Sequence, residues 1–407
     1  MKDKRKFKFG PGALVTAAFI GPGTITTCVM AGAQFGYALL WGMIFSIAAT
    51  FILQEMAARL GIITQSGLGE ALRKQFTYPP VKILMAVLVI SSIGLGNAAF
   101  QTGNLLGASL GLQSITGNGE IELGLWSVII GGVAFFVLLT NSYKFIEKTL
   151  IVFVVLMSVA FVTTALALSP NWSEMLRGMT RLEIPDGSLL TLLGLIGTTI
   201  VPYNLFLYSS AIRERYKSKS EVRMAGLDLF VSVVLGGLIS MAVIVTAATL
   251  FFISGEQPES GADLASLTEP VMGAAAPYLV GSGLFAAGIS SAITAPLAAA
   301  YATSGILGWT RKSHPIHFKL VWMLVLFTGI VFSSMGFRPL TAILFAQAAN
   351  GILLPVIAVF LLGAMNSKKV MGEYTNGLFS NIFGSVVVLI ALVLSLRSLV
   401  HVYNQLL

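Results

Sequence analysis

Cysteine is almost missing: Cys28 is the only one in 407 residues. That excludes an intramolecular disulfide framework and a cysteine zinc cluster. Histidine is scarce too, and His314, His317 and His401 all fall in loops or at a terminus. Charged residues make up 10% of the chain, where an ordinary globular chain carries about 25%. No nucleotide-binding loop and no catalytic constellation is present, which points away from an enzyme or a primary pump. No cofactor and no metal ligand is assigned.

Hydrophobic residues fill the gap, at 56% of the sequence. They come in uncharged blocks of about twenty residues, the length that crosses a bilayer as a helix. The blocks predict eleven spans, at 11–34, 38–62, 81–110, 124–140, 146–168, 188–210, 225–254, 279–307, 319–335, 340–363 and 377–402. The expectation is an all-α polytopic protein, one membrane domain over 1–407 with no separate soluble domain. Its setting is a plasma (inner) membrane, with the lipid bilayer as its surrounding partner. A cleaved signal peptide is opposed by Gly21-Pro22-Gly23, which interrupts the first apolar run.

Charge tests the span count. With a cytoplasmic N-terminus, alternate loops and helix ends hold every basic residue except Arg177, Arg181, Arg338 and Arg397. Such a bias is the positive-inside pattern, which a wrong count would scramble. The net charge of +8 is therefore a topology signal, and the basic run Arg213–Arg223 reads as a cytoplasmic loop rather than a nucleic-acid site. An odd number of spans puts the C-terminus outside. Glu120, Glu122, Glu256, Glu259, Asp263 and Glu269 give the outer loops an acidic lean; topology alone produces it, and a cation-attracting vestibule is the alternative. Oligomeric state is not readable.

Two spans carry helix breakers deep in their apolar stretch, Gly21-Pro22-Gly23-Thr24 and Thr198-Thr199-Ile200-Val201-Pro202-Tyr203. Proline removes a backbone donor and clashes with the preceding turn. Freed backbone groups cannot face lipid, so they line a cavity or are buried in protein. The two spans match in position if the chain is two five-helix repeats, 11–168 and an inverted 188–363, plus an extra helix at 377–402. Paired breaks of this kind mark a midplane binding site in transporters; ordinary proline kinks are the plainer reading of either one alone. Elsewhere the intramembrane polar residues are few. Asn97, Gln101 and Asn104 share a helix face, Gln347 and Asn350 are three apart, and Ser290, Ser291 and Thr294 form a small-residue group. Such residues line a path or simply hold helices together.

The residues also resemble a known family. Gly21-Pro22-Gly23-Thr24, then Ala31-Gly32-Ala33-Gln34-Phe35-Gly36-Tyr37-Ala38-Leu39-Leu40-Trp41, Gln54 and Arg59-Leu60-Gly61-Ile62-Ile63-Thr64 resemble the opening of the NRAMP divalent-metal transporters. Val201-Pro202-Tyr203-Asn204-Leu205-Phe206-Leu207-Tyr208-Ser209 is similar to that family's Met-Pro-His-Asn-Leu-Tyr-Leu-His-Ser segment, and Gly288–Thr294 is similar as well. The resemblance implies a LeuT-type 5+5 inverted-repeat fold with helices 1 and 6 broken. It also exposes departures. Gly21 and Thr24 stand where the family has its Asp and Asn metal ligands, Val201 stands for the Met ligand, and Thr198 for an Ala. Tyr203 and Tyr208 replace two histidines, and Gln101 lies near the place of an acid. The soft thioether that suits late transition metals is missing, and so is the carboxylate that would offset a dication's desolvation.

The reading is thus a secondary or facilitative transporter of a small polar solute. Its substrate residues are Gly21, Thr24, Thr198, Val201, Tyr203 and Gln347, with Asn97, Gln101 and Tyr208 as pathway candidates. The alternatives are a carrier of a largely hydrated divalent cation such as magnesium and a non-transporting membrane scaffold or receptor.

Overall fold

The computed structural model describes residues 20–117, 121–140, 143–309 and 314–406, and the side chains of 143–148 and 401–406 lie outside that description. The N-terminal basic cluster, the first part of the first expected span and the Arg311–Lys312 pair also lie outside it. Everything described is helix, turn or loop. The long helices are α1 (Pro22–Phe35), α2 (Leu40–Thr64), α4 (Pro79–Thr116), α5 (Leu123–Thr140), α6 (Tyr143–Ala167), the pair α8 (Leu189–Thr199) and α9 (Pro202–Arg215), α10 (Val222–Ala247), α11 (Ala276–Leu307), α12 (Pro315–Ser333), α13 (Pro339–Asn366) and α14 (Leu378–Leu406). Short helices α3 (Leu68–Gln75) and α7 (Trp172–Thr180) sit in connectors.

Among the described residues 10 helices are long and apolar enough to cross a membrane, with α8 and α9 together making one of them. These match ten of the eleven expected spans. The first expected span enters the description only as its second half, α1. The third is longer than the charge pattern suggested. At 38 residues, α4 extends for about 57 Å at 1.5 Å per residue, well past a hydrocarbon layer of about 30 Å. The connector 169–187, between the fifth and sixth expected spans, contains α7. Asn171 caps that helix by accepting from the Glu174 N–H at 3.2 Å, a local signal the hydropathy pattern overlooks.

Burial sorts the spans into centre and rim. The α8–α9 span is 89% buried in its most apolar window, whereas α5 and α14 are 28% buried. Phe136 on α5 and Phe379 on α14 are exposed, the expected state of side chains that meet lipid. Without water between them, spans associate through close backbone approach at small residues. Gly111 and Gly281 bring α4 and α11 together so closely that a Cβ on either would strike the other helix's backbone. Gly197 and Gly351 do the same for α8 and α13.

The second expected helix break is present, and α1 begins at the first, in each case with the irregular backbone one or two residues earlier than the sequence suggested. Gly21 is extended (φ −77°, ψ 164°) and Pro22 is the first residue of α1. Ile200 leaves helical geometry (φ −103°, ψ 65°), Val201 is extended (φ −70°, ψ 121°), and Pro202 is the first residue of α9. The irregular backbone is therefore Ile20–Gly21 and Ile200–Val201, not Gly21–Thr24 and Val201–Tyr203. The physical reason is that proline is well placed at a helix start: its missing N–H would be unpaired there anyway, and its fixed φ suits the first turn.

Candidate functional site

The two breaks meet. α1 packs against α8, α13, α10 and α4, and the Thr24 and Thr198 hydroxyls lie 2.9 Å apart, both buried. Thr24 sits in the first turn of α1 and Thr198 in the last turn of α8. The pair thus joins the start of one half-helix to the end of another. A helix start presents unpaired N–H groups, and a helix end presents carbonyls. Backbone bonds inside the junction are few: Ile25 N–H donates to Gly21 O at 3.1 Å, and Asn204 N–H donates to Val201 O at 3.0 Å.

Gln347 of α13 closes one side of this junction. It is fully buried, and neither its Oε1 nor its Nε2 has a hydrogen-bond partner among the described residues. Its amide lies directly over Gly23, where a Cβ would collide with it, and Nε2 is 3.4 Å from where a Cβ would stand on Gly103 of α4. Two glycines on two helices therefore make the seat for one amide. Burying an amide without a partner costs about 1–3 kcal/mol per group, so an unpaired amide aimed at a helix junction is a place where a ligand gains. The sequence marks Gly23 only as part of a helix break and does not mark Gly103, because a glycine in an apolar span looks the same whether it seats a side chain or a neighbouring helix.

An aromatic layer lies on the α9 side. Phe100 of α4 and Tyr203 of α9 meet edge-on, with ring centroids 5.4 Å apart. Val201, Ala295 and Ala298 complete a small apolar cluster with them. Val201 and Tyr203, both expected at the substrate site, thus belong to the wall between α4, α9 and α11.

The pathway candidates divide. Gln101 donates from Nε2 to the backbone carbonyl of Ala292 on α11 at 3.0 Å. That carbonyl is four residues before Pro296, which lies inside α11 and has no N–H to return to it. Gln101 therefore supplies the hydrogen bond that Pro296 withholds. Among the described residues Asn97 is buried with both amide atoms unpartnered, Asn104 has an unpartnered Oδ1, Asn350 an unpartnered Nδ2, and the buried Tyr208 hydroxyl no partner. Thr294 turns back onto its own helix, donating to Ser290 O at 3.1 Å. Among the described residues no group of three or more His, Cys, Asp or Glu is positioned to hold a metal ion.

The family model described as natural resistance-associated macrophage protein-like matches residues 12–401. The chain belongs to the Nramp family. Among its curated Nramp-type relatives is the divalent metal cation transporter MntH of Pectobacterium carotovorum subsp. carotovorum, 26% identical over 414 residues that cover 98% of this chain and 96% of that protein. The MntH of Erwinia tasmaniensis is also 26% identical, with 97% and 95% covered. Among solved structures, a histidine-to-alanine mutant of the Eremococcus coleocola manganese transporter superposes with a TM-score of 0.77 at 22% identity, covering 98% of this chain and 88% of that one. MhsT in complex with L-phenylalanine superposes with a TM-score of 0.60 at 14% identity, covering 96% and 98%. The Nramp chain is thus a multi-pass membrane protein of LeuT-type fold, and its relatives are transporters rather than enzymes.

Proposed function

We propose that this Nramp-family chain is a secondary or facilitative transporter of a small polar solute, held at the midplane between the broken helices. Gly21, Thr24, Thr198 and Gln347 form its polar face, and Val201 and Tyr203 form the apolar wall. The first repeat is 11–168, the inverted second repeat 188–363, and 377–402 an added helix. The N-terminus is cytoplasmic and the C-terminus outside, in a plasma (inner) membrane.

One observation carries the reading. The fully buried Gln347 amide, unpartnered at both ends, faces the first turn of α1 beside the Thr24–Thr198 hydroxyl pair. Amide and hydroxyl dipoles hydrogen-bond a polar solute well. They do not replace the water shell of a bare dication without an anion nearby, because uncompensated burial of charge costs several kcal/mol even after relaxation.

The curated relatives favour a second reading, because those named here are divalent metal cation transporters. In that reading the Thr24 and Thr198 hydroxyls and Gln347 hold the waters of a hydrated cation such as magnesium rather than the ion itself.

The test is uptake into liposomes containing the purified protein. Manganese entry is expected to match that of protein-free liposomes. Saturable manganese uptake at micromolar concentration would replace the proposal with a metal carrier.

A further inference from the structure

The unpartnered atoms around the breaks describe what should fill them. Among the described residues the amide nitrogens of Asn97, Gln347 and Asn350 are donors without acceptors, and the amide oxygens of Asn97, Asn104 and Gln347 are acceptors without donors. The hydroxyls of Thr26 and Thr27 act either way and are also unpartnered among the described residues. Donors and acceptors are balanced, and turning the Asn97 or Gln347 amide over leaves that balance unchanged.

The segments that form the breaks and seat Gln347 carry no charge; α10, which packs on α1, holds the buried Asp228 close to Tyr208. There is no Asp, Glu, Lys or Arg in 9–54, 83–119, 187–212, 270–310 or 339–367. Those segments include α1, α8, α11, α13, all of α4 beyond its first turn and all of α9 up to Ile212. A cation in this site would engage the oxygens and leave the amide N–H groups facing it. An anion would do the reverse. Either ion would also lose its hydration with no countercharge on these segments to offset the loss. A net-neutral solute with donors and acceptors of its own pairs with both sets, and each unmet buried group costs about 1–3 kcal/mol.

On the reading that the broken helices form the substrate site, we infer that the solute is uncharged overall and bears both hydrogen-bond donors and acceptors, with Gln347 as the residue that reads it. Gln347 fits that role because Gly23 and Gly103 fix its position while its two amide atoms stay free.

Thermal unfolding of the purified protein in detergent tests this with four probes: acetamide and urea as net-neutral solutes, sodium acetate as an anion and manganese chloride as a dication. A ligand that binds only the folded state raises the unfolding temperature with its concentration. The expected result is a saturable rise with a net-neutral probe, lost in Gln347→Met, and no saturable rise with acetate or manganese. If Gln347→Met does not fold, Thr198→Val takes its place, with the same loss expected.

Saturable stabilisation by acetate overturns this inference and leaves the polar-solute transporter standing. Saturable stabilisation by manganese overturns both. A net-neutral shift that survives in Gln347→Met overturns the role of Gln347, one that survives in Thr198→Val overturns the placement of the solute at the break, and failure of both net-neutral probes overturns the substrate class.

Discussion

The hydroxyls of Thr24 and Thr198, 174 residues apart in sequence, lie 2.9 Å from each other where the two broken helices meet. The bond is buried, so removing one partner strands the other. Thr24→Val and Thr198→Val are each expected to destabilise the protein by about 1–3 kcal/mol. The double variant is expected to cost clearly less than the two singles combined, because no stranded hydroxyl remains. Unfolding of the four proteins in one detergent measures this. Additive losses would mean that the two hydroxyls do not interact.

A second prediction concerns Gln101 and Pro296. Gln101→Leu leaves the Ala292 carbonyl buried without a donor, at an expected cost of about 1–3 kcal/mol. Pro296→Ala restores the N–H that the helix lacks. In the Pro296→Ala background, Gln101→Leu should therefore cost much less. Equal losses in both backgrounds would show that Gln101 stabilises the bundle by some route other than this carbonyl.

The glycines give a third. A methyl at Gly23 meets the amide end of Gln347, a movable side chain, whereas a methyl at Gly197 meets the backbone of Gln347 and Gly351. Gly197→Ala is expected to reduce the folded yield severely. Gly23→Ala is expected to fold with a modest loss and to lose ligand-induced stabilisation, since the displaced amide can no longer sit over α1. Size-exclusion profiles and ligand-induced thermal shifts distinguish the two.

How much of this was legible in the sequence follows from which interactions are local. The breaks could be read because a proline flanked by glycines, or following two threonines, stands out inside an apolar run. Their positions came out one or two residues late because proline both ends one helix and starts the next well; only the observed dihedrals of Gly21, Ile200 and Val201 decide which side is irregular. Gln347 stands out with Asn350 as an amide in an apolar helix. Its seat between Gly23 and Gly103 could not be read, because it depends on how three helices pack. Gln101 stands out as an amide in an apolar helix, and its partner is a carbonyl 191 residues away. Pro296 was visible as a proline in a span, and nothing local says which residue answers it.

Topology yields a fourth prediction. Cys28, the only native cysteine, is fully buried, so the native protein should resist membrane-impermeant thiol reagents. In a Cys28→Ala background, Ser218→Cys is expected to react from the side shared with the N-terminus, and Ser254→Cys from the opposite side. Sided labelling in oriented vesicles checks both. Reaction of the two from one side would contradict the charge-derived orientation.

The central claim is that the junction of the broken helices has lost the chemistry that holds a transition-metal ion. Its most direct test is calorimetric titration of manganese into the wild-type protein and into the variant Gly21→Asp, Thr24→Asn, Val201→Met, which returns a carboxylate, an amide and a thioether to the positions where the family resemblance locates its ligands. The account predicts no saturable heat for the wild type and saturable binding for the triple variant. Saturable manganese binding by the wild type, unchanged in the variant, would contradict it.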